Sequence, residues 1–202
     1  MGVKFKFTTK LNKFPDMEAS LRVIDGRKIN VGVTGEHAWL ASIHEYGCDI
    51  KPVRAKYLTV PCNKKARGKK ASDFHDLWFL QLDDGSKWLV RDKNKDEFEF
   101  MFALMKHVKI PERSFLRSGF DECHEKVLNR AERALSQLLA GTITEDDFYE
   151  FIGGYLRDNI QKYAEQLKTP PKSPLTTATN GGKKNPLVDT GDMINSIEFE
   201  VE

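Results

Sequence analysis

From Glu112 to Ala140 the apolar residues Leu116, Phe120, Cys123, Val127, Ala131, Ala134, Leu135 and Leu138 recur at three- and four-residue steps. That spacing puts them on one stripe of a single long helix, and Gly141 stands where such a helix ends. Thr144 opens a second helical stretch, with Glu145, Asp146 and Asp147 in its first turn, where the macrodipole favours negative charge. Its apolar stripe is Phe148, Phe151, Ile152, Tyr155, Leu156, Ile160, Tyr163 and Leu167. Two amphipathic helices joined by a short turn bury their stripes by folding back on each other. Residues 112–167 are therefore expected to form a long αα-hairpin, and the rest of the chain must fit around it.

Upstream the period changes from helical to alternating. Residues 3–8 (VKFKFT) and 28–34 (KINVGVT) read as half-buried strands, with a short helix between them from Asp16 to Ile24. Residues 36–46 (EHAWLASIHEY) read as a helix, and Gly47 suits the position after it, where positive φ is easy only for glycine. Tyr57–Pro61 is a strand stopped by proline. Leu77–Leu82 and Lys87–Val90 flank Asp83-Asp84-Gly85, a strong hairpin signal. Glu97–Phe102 alternates cleanly and continues towards Val108. Residues 1–111 are thus a β-rich part with one internal helix.

Downstream of the hairpin, residues 168–186 (KTPPKSPLTTATNGGKKNP) are poor in apolar side chains and read as a flexible loop without secondary structure. Residues 187–202 read as a short helix running into a strand. Asp189 or Thr190 is its expected N-cap, Met193, Ile194 and Ile197 its apolar face, and Phe199 and Val201 alternate with glutamates. This strand is expected to return to the sheet, burying Ile194 and Ile197. The whole is expected to be a single α+β domain.

A formal net charge of +2 in 202 residues gives no global argument for nucleic acid. The three cysteines, Cys48, Cys62 and Cys123, have unrelated spacings and read as reduced thiols. No hydrophobic leader and no apolar run near the ~20 residues of a membrane span is visible. Lys6 breaks the myristoylation pattern. A soluble intracellular product without membrane contact is expected.

His44-Glu45 lacks the second histidine of an H-E-x-x-H metal motif, and His37 with His44 makes two ligands at best. A small hydrolase using His44 and Cys48 finds no marked base or oxyanion hole. No G-x-S-x-G, P-loop or G-x-G-x-x-G is present, so no enzyme, metal or cofactor is expected. Lys64, Lys65, Arg67, Lys69 and Lys70 form a basic run that reads as a solvated loop tip. With Lys183 and Lys184 it is the candidate contact for a partner or DNA, and it supports a nucleic-acid-binding module as the alternative function. Trp39, Trp78 and Trp88 are expected in the core.

Three segments together carry a resemblance: residues 41–47 (ASIHEYG), 110–117 (IPERSFLR) and 187–197 (LVDTGDMINSI). In that order the chain resembles the neck proteins of long-tailed bacteriophages, variously called head–tail joining, tail-completion or virion-morphogenesis proteins. Their patterns are A-x-x-H-E-[FY]-G, I-P-x-R-P-F-L and L-V-D-T-G-x-L-x-x-S-I. Here Ser114 stands where proline is preferred and Met193 where leucine is. The resemblance spans residues 28–202, with the Trp78/Trp88 hairpin as an elaboration.

The resemblance implies an α+β structural protein of the virion neck, made and assembled in the bacterial cytoplasm. Its copies would form a homo-oligomeric ring joining the capsid connector or head-completion proteins to the tail terminator or tail tube, close to packaged DNA. The motif residues His44, Glu45, Tyr46, Gly47, Pro111, Arg113, Phe115, Leu116, Asp189, Thr190, Gly191, Ser196 and Ile197 would serve mainly as framework. Gly47 would end a helix, Pro111 set the entry to the next, Phe115 and Leu116 anchor it, and Glu45 and Arg113 serve as pairing residues.

Overall fold

The computed structural model describes residues 26–95 and 97–202; the strand expected at residues 3–8 and the helix at 16–24 lie outside them. The architecture is α+β, with antiparallel sheets. The described residues divide into two compact units, one comprising residues 26–32, Phe120–Ile160 and Glu198–Glu202, the other Val33–Gly119 and Gln161–Ile197. Two of the divisions fall inside helices, not at the boundaries that composition marks.

The first unit holds most of α2 (Phe115–Leu139) and α3 (Glu145–Gln166), the helices expected from the apolar spacing. Cys123, Val127, Ala134 and Leu138 on α2 are buried, as are Phe148, Ile152, Leu156 and Ile160 on α3. Phe120 departs from its stripe and is 47% exposed. The Arg130 guanidinium lies 4.0 Å from the centre of the Phe151 ring and 4.5 Å from that of Tyr155, so a cation covers the outer aromatics. Thr144 caps α3 in a reciprocal box. Its hydroxyl accepts from the Asp147 N–H at 3.1 Å, and the Asp147 carboxylate accepts from the Thr144 N–H at 2.9 Å.

The same unit pairs β1 (Ile29–Val33) with β8 (Ile197–Val201), the terminal strand returning as expected. Lys28 and Glu202 exchange both backbone hydrogen bonds at 2.7 and 2.9 Å, the mark of an antiparallel pair. Phe199 of β8 sits on Gly153 of α3, where an added Cβ would fall 2.3 Å from the ring. A mid-helix glycine is unfavourable by roughly 0.5–1 kcal/mol against alanine. Here it is what lets a phenyl ring touch helix backbone.

The second unit carries a four-stranded antiparallel sheet in the order β3 (Leu58–Pro61), β6 (Glu97–Met105), β5 (Lys87–Asn94), β4 (Trp78–Gln81). β4 and β5 form the expected hairpin, with Trp78 opposite Val90 and Gln81 opposite Lys87. Trp78, Phe98, Phe100 and Trp88 meet edge to face in a chain along the sheet. Met101 and Phe102 on β6 pack around fully buried Ala66. Glu99 accepts from Lys65 and Arg91, and these bonds hold its carboxyl down to about 2.

A separate two-stranded pair, β2 (Cys48–Ile50) with β7 (Val108–Ile110), sits beside α1 (Ala38–Tyr46), which a turn of 3-10 helix at Gly35–His37 precedes. Residues 168–186 are not one irregular loop. Ser173 accepts from the Thr176 N–H at 3.2 Å, Pro174 takes the first turn, and α4 (Pro174–Thr179) follows. A cap residue with proline at the helix start is a helix signal that the Pro- and Gly-rich composition hides. The short α5 (Asp192–Asn195) then leads into β8, with Ile194 and Ile197 buried as expected.

Candidate functional site

The first two motif segments converge at the junction of α1 with the start of α2, inside the second unit. Gly47 ends α1 at φ 74°, and a Cβ there would lie 2.8 Å from the Glu112 nitrogen and 3.0 Å from the Ile110 oxygen. Both the dihedral and the close approach require glycine. Immediately after it, Cys48 pairs with Ile110, and the Arg113 N–H donates to the His44 carbonyl at 2.7 Å. The end of α1 is thereby laced to the link that opens α2.

Glu45 is 2% exposed. Its carboxylate accepts from the Leu116 N–H at 2.9 Å and the Arg117 N–H at 3.2 Å, two donors that a helix start leaves unpaired. Arg117 adds its Nε–H at 2.8 Å, and its Nη2 donates to both the Glu45 carbonyl and the Glu112 carboxylate. The guanidinium also lies 4.8 Å from the centre of the Tyr46 ring. The N-terminus of α2 is thus capped from 71 residues upstream. The local residue, Ser114, turns its hydroxyl to Ser118 instead.

Arg113, 6% exposed, is satisfied without a carboxylate. Its Nε–H donates to the Pro170 carbonyl at 2.9 Å, Nη2 to the Pro171 carbonyl at 3.0 Å, and Nη1 to His44 Nδ1 at 3.2 Å. A guanidinium only donates, so Nδ1 must accept and the neutral ring carries its proton on Nε2. Burial, then Arg113, then Lys172 push His44 down to about 4, and burial lowers the pKa of Arg113 as well. His44 is therefore an uncharged acceptor at neutral pH. Glu45 and Arg113 do take pairing roles, with Arg117 and His44 and not with each other.

Phe115 is fully buried, and Pro111 and Leu116 are half-buried. In the third segment Leu187, Met193, Ile194 and Ile197 are buried, and Ser196 donates to the Met193 carbonyl at 2.9 Å. The expected caps differ. Gly191 is the N-cap of α5 and no side chain caps it there. Thr190 accepts from the Asp192 N–H at a long 3.4 Å. Asp189 is taken instead by Arg67, a paired charge winning over a helix-end dipole.

That pairing also adds to the reading of the basic run. Ala66, at its centre, is in the core, while the five cations around it are exposed, so the run is a surface turn anchored through one alanine. Lys65 meets Glu99 at 2.7 Å, Arg67 reaches Asp189 and the Thr179 carbonyl, and Lys69 lies over Phe74. Lys183 donates to the Asp189 carbonyl, and all seven of these basic residues, Lys64, Lys70 and Lys184 included, are exposed. Trp39, expected in the core, is 73% exposed on α1; Trp78 is on the surface and Trp88 half-buried. Burial raises the thiols of Cys62 and Cys123, away from the reactive thiolate.

Sequence reasoning missed Arg117, the carbonyls of Pro170 and Pro171, and the Arg67–Asp189 pair. Arg117 left one trace: it lies one helical turn after Arg113. The carbonyls left none. Among the described residues no helix is long and apolar enough to cross a membrane. Comparison with family models, with curated proteins and with solved structures gives no match.

Proposed function

We propose that the chain is a structural virion protein of a long-tailed phage neck, one copy of a ring that joins the capsid connector to the tail. The observation that supports this reading is the convergence of the segments that carry the resemblance. His44, Glu45 and Gly47 meet Ile110, Glu112, Arg113, Leu116 and Arg117 through buried polar bonds. The third segment is tied into the same unit by Arg67 to Asp189 and by Lys172 to the Val188 carbonyl. Residues held this way build a framework. On this reading the protein acts by binding and catalyses nothing, and its partners are its own copies, the connector or head-completion proteins and the tail terminator or tube. It works in the virion neck after assembly in the host cytoplasm. The alternative, a nucleic-acid module on the basic run, has less support because Lys65 and Arg67 already engage carboxylates.

Sedimentation and negative-stain imaging of the protein, alone and with connector and tail-tube proteins, test this. Ring formation or incorporation into a neck is the expected outcome. A monomer that ignores those partners and binds DNA with a steep salt dependence would overturn it.

A further inference from the structure

Val108, Lys109 and Ile110 of β7 all border a cleft of about 490 Å³ within the second unit. Side chains alternate along a strand, so three consecutive bordering residues mean that the cleft runs along the strand's edge. β2 takes one edge of β7, and the described residues place these two strands alone in their sheet. The cleft therefore follows the edge that β2 leaves.

Asn180 lines the same cleft and is 6% exposed. Its Nδ2 donates to the Lys183 carbonyl at 3.4 Å, while Oδ1 accepts from no described group. A buried acceptor without a donor is unfavourable, so a ligand bearing an N–H is favoured at this point. The charge around the opening is one-sided: Arg67, Lys109, Arg113 and Lys172 border it against the single carboxylate of Asp189. Between these cations the wall is apolar, through side chains such as Leu40 and Leu187.

We propose that this cleft binds an extended acidic peptide segment of a partner protein. The segment adds a strand to the edge of β7, donates one backbone N–H to Asn180 Oδ1, and sets its carboxylates towards Lys109 and Lys172. Its apolar side chains face Leu40 and Leu187. Strand addition of this kind draws affinity from main-chain bonds and selectivity from alternate side chains. An apolar wall beside a strand edge suits a peptide better than a phosphate backbone. The inference goes beyond the neck reading and does not rest on it.

The test is fluorescence anisotropy of the full chain with a fluorescein-labelled peptide of alternating valine and glutamate. Three comparisons accompany it: the same peptide with alternate N-methylated amides, a valine–lysine version, and an oligo-dT competitor. Saturable binding of the first peptide is expected, weakened about tenfold by N-methylation and abolished by the charge swap. Lys109→Glu, at an exposed position, should also weaken it about tenfold, and Asn180→Ala by several-fold with an unchanged thermal transition. No binding of the valine–glutamate peptide would overturn the proposal. So would equal binding of the N-methylated or lysine peptide, full displacement by oligo-dT, or indifference to Lys109→Glu.

Discussion

At the α1–α2 junction the groups withdrawn from water are charged: Glu45 under two helix N–H groups and Arg117, and Arg113 against two proline carbonyls and His44. In the α2–α3 hairpin they are apolar: Cys123, Val127, Ala134 and Leu138 on α2, and Phe148, Ile152, Leu156 and Ile160 on α3. Apolar burial is non-directional and scales with area, so each hairpin contact can shrink or shift at a proportionate cost. A buried charge has no such gradation. It is either fully partnered or strongly destabilising. The junction should therefore fail abruptly under substitution, where the hairpin weakens by degrees.

The largest expected effect is at Glu45. Glu45→Ala strands two α2 N–H groups and the Arg117 guanidinium, and should remove about 4 kcal/mol of stability in urea denaturation. Glu45→Gln, although isosteric, should recover less than half of that. A loss under about 1 kcal/mol would put the junction in the same class as the hairpin. In the hairpin, Ile152→Ala should remove about 3 kcal/mol and Ile152→Val about 1, a graded series.

Gly153→Ala comes next. The added methyl would lie 2.3 Å from the Phe199 ring, so β8 must move, at about 1–2 kcal/mol net of the better helix propensity. A stabilised variant would mean that Phe199 does not rest on Gly153. The last effect is a slope. His44 is held near 4 against an ordinary 6.5, so the unfolded chain takes up this proton first. The stability from neutral His44 is complete above pH 6.5 and lost as pH falls towards 4. Replacing His44 by Gln should flatten the dependence of the urea midpoint on pH in that window.

The same contrast explains what was legible. Both hairpin helices, the start of α3 at Thr144, the β4–β5 turn and the burial of Ile194 and Ile197 follow from periods and local turn chemistry, which neighbouring residues carry. The junction rests on partners 57 to 72 positions apart, and nothing near Glu45 announces that Leu116 and Arg117 will supply the donors. Asp189 shows local logic losing outright. Its sequence neighbours mark a helix cap, yet Arg67, 122 positions away, takes the carboxylate. In the basic run the five cations are exposed, and the one alanine among them carries a core contact that the charges around it hide. Trp39 was misplaced because hydrophobicity alone says nothing about which face of a short helix meets the protein.

Cys48 and Ile110 stand opposite each other at the foot of the β2–β7 pair, with Gly47 pressed against Glu112. Topologically, residues 51–107 leave the other end of this pair at Ile50 and come back to it at Val108, so the clasp that joins α1 to α2 is closed below them. Lengthening a closed excursion costs little, about 0.6 kcal/mol per doubling. The sheet it carries is therefore the part of this chain most open to change of size, through insertion at the Asp83–Gly85 turn or even trimming of the β4–β5 hairpin, while Glu45 continues to mark the first turn of α2. A chain built this way can vary what it displays without renegotiating how it stands.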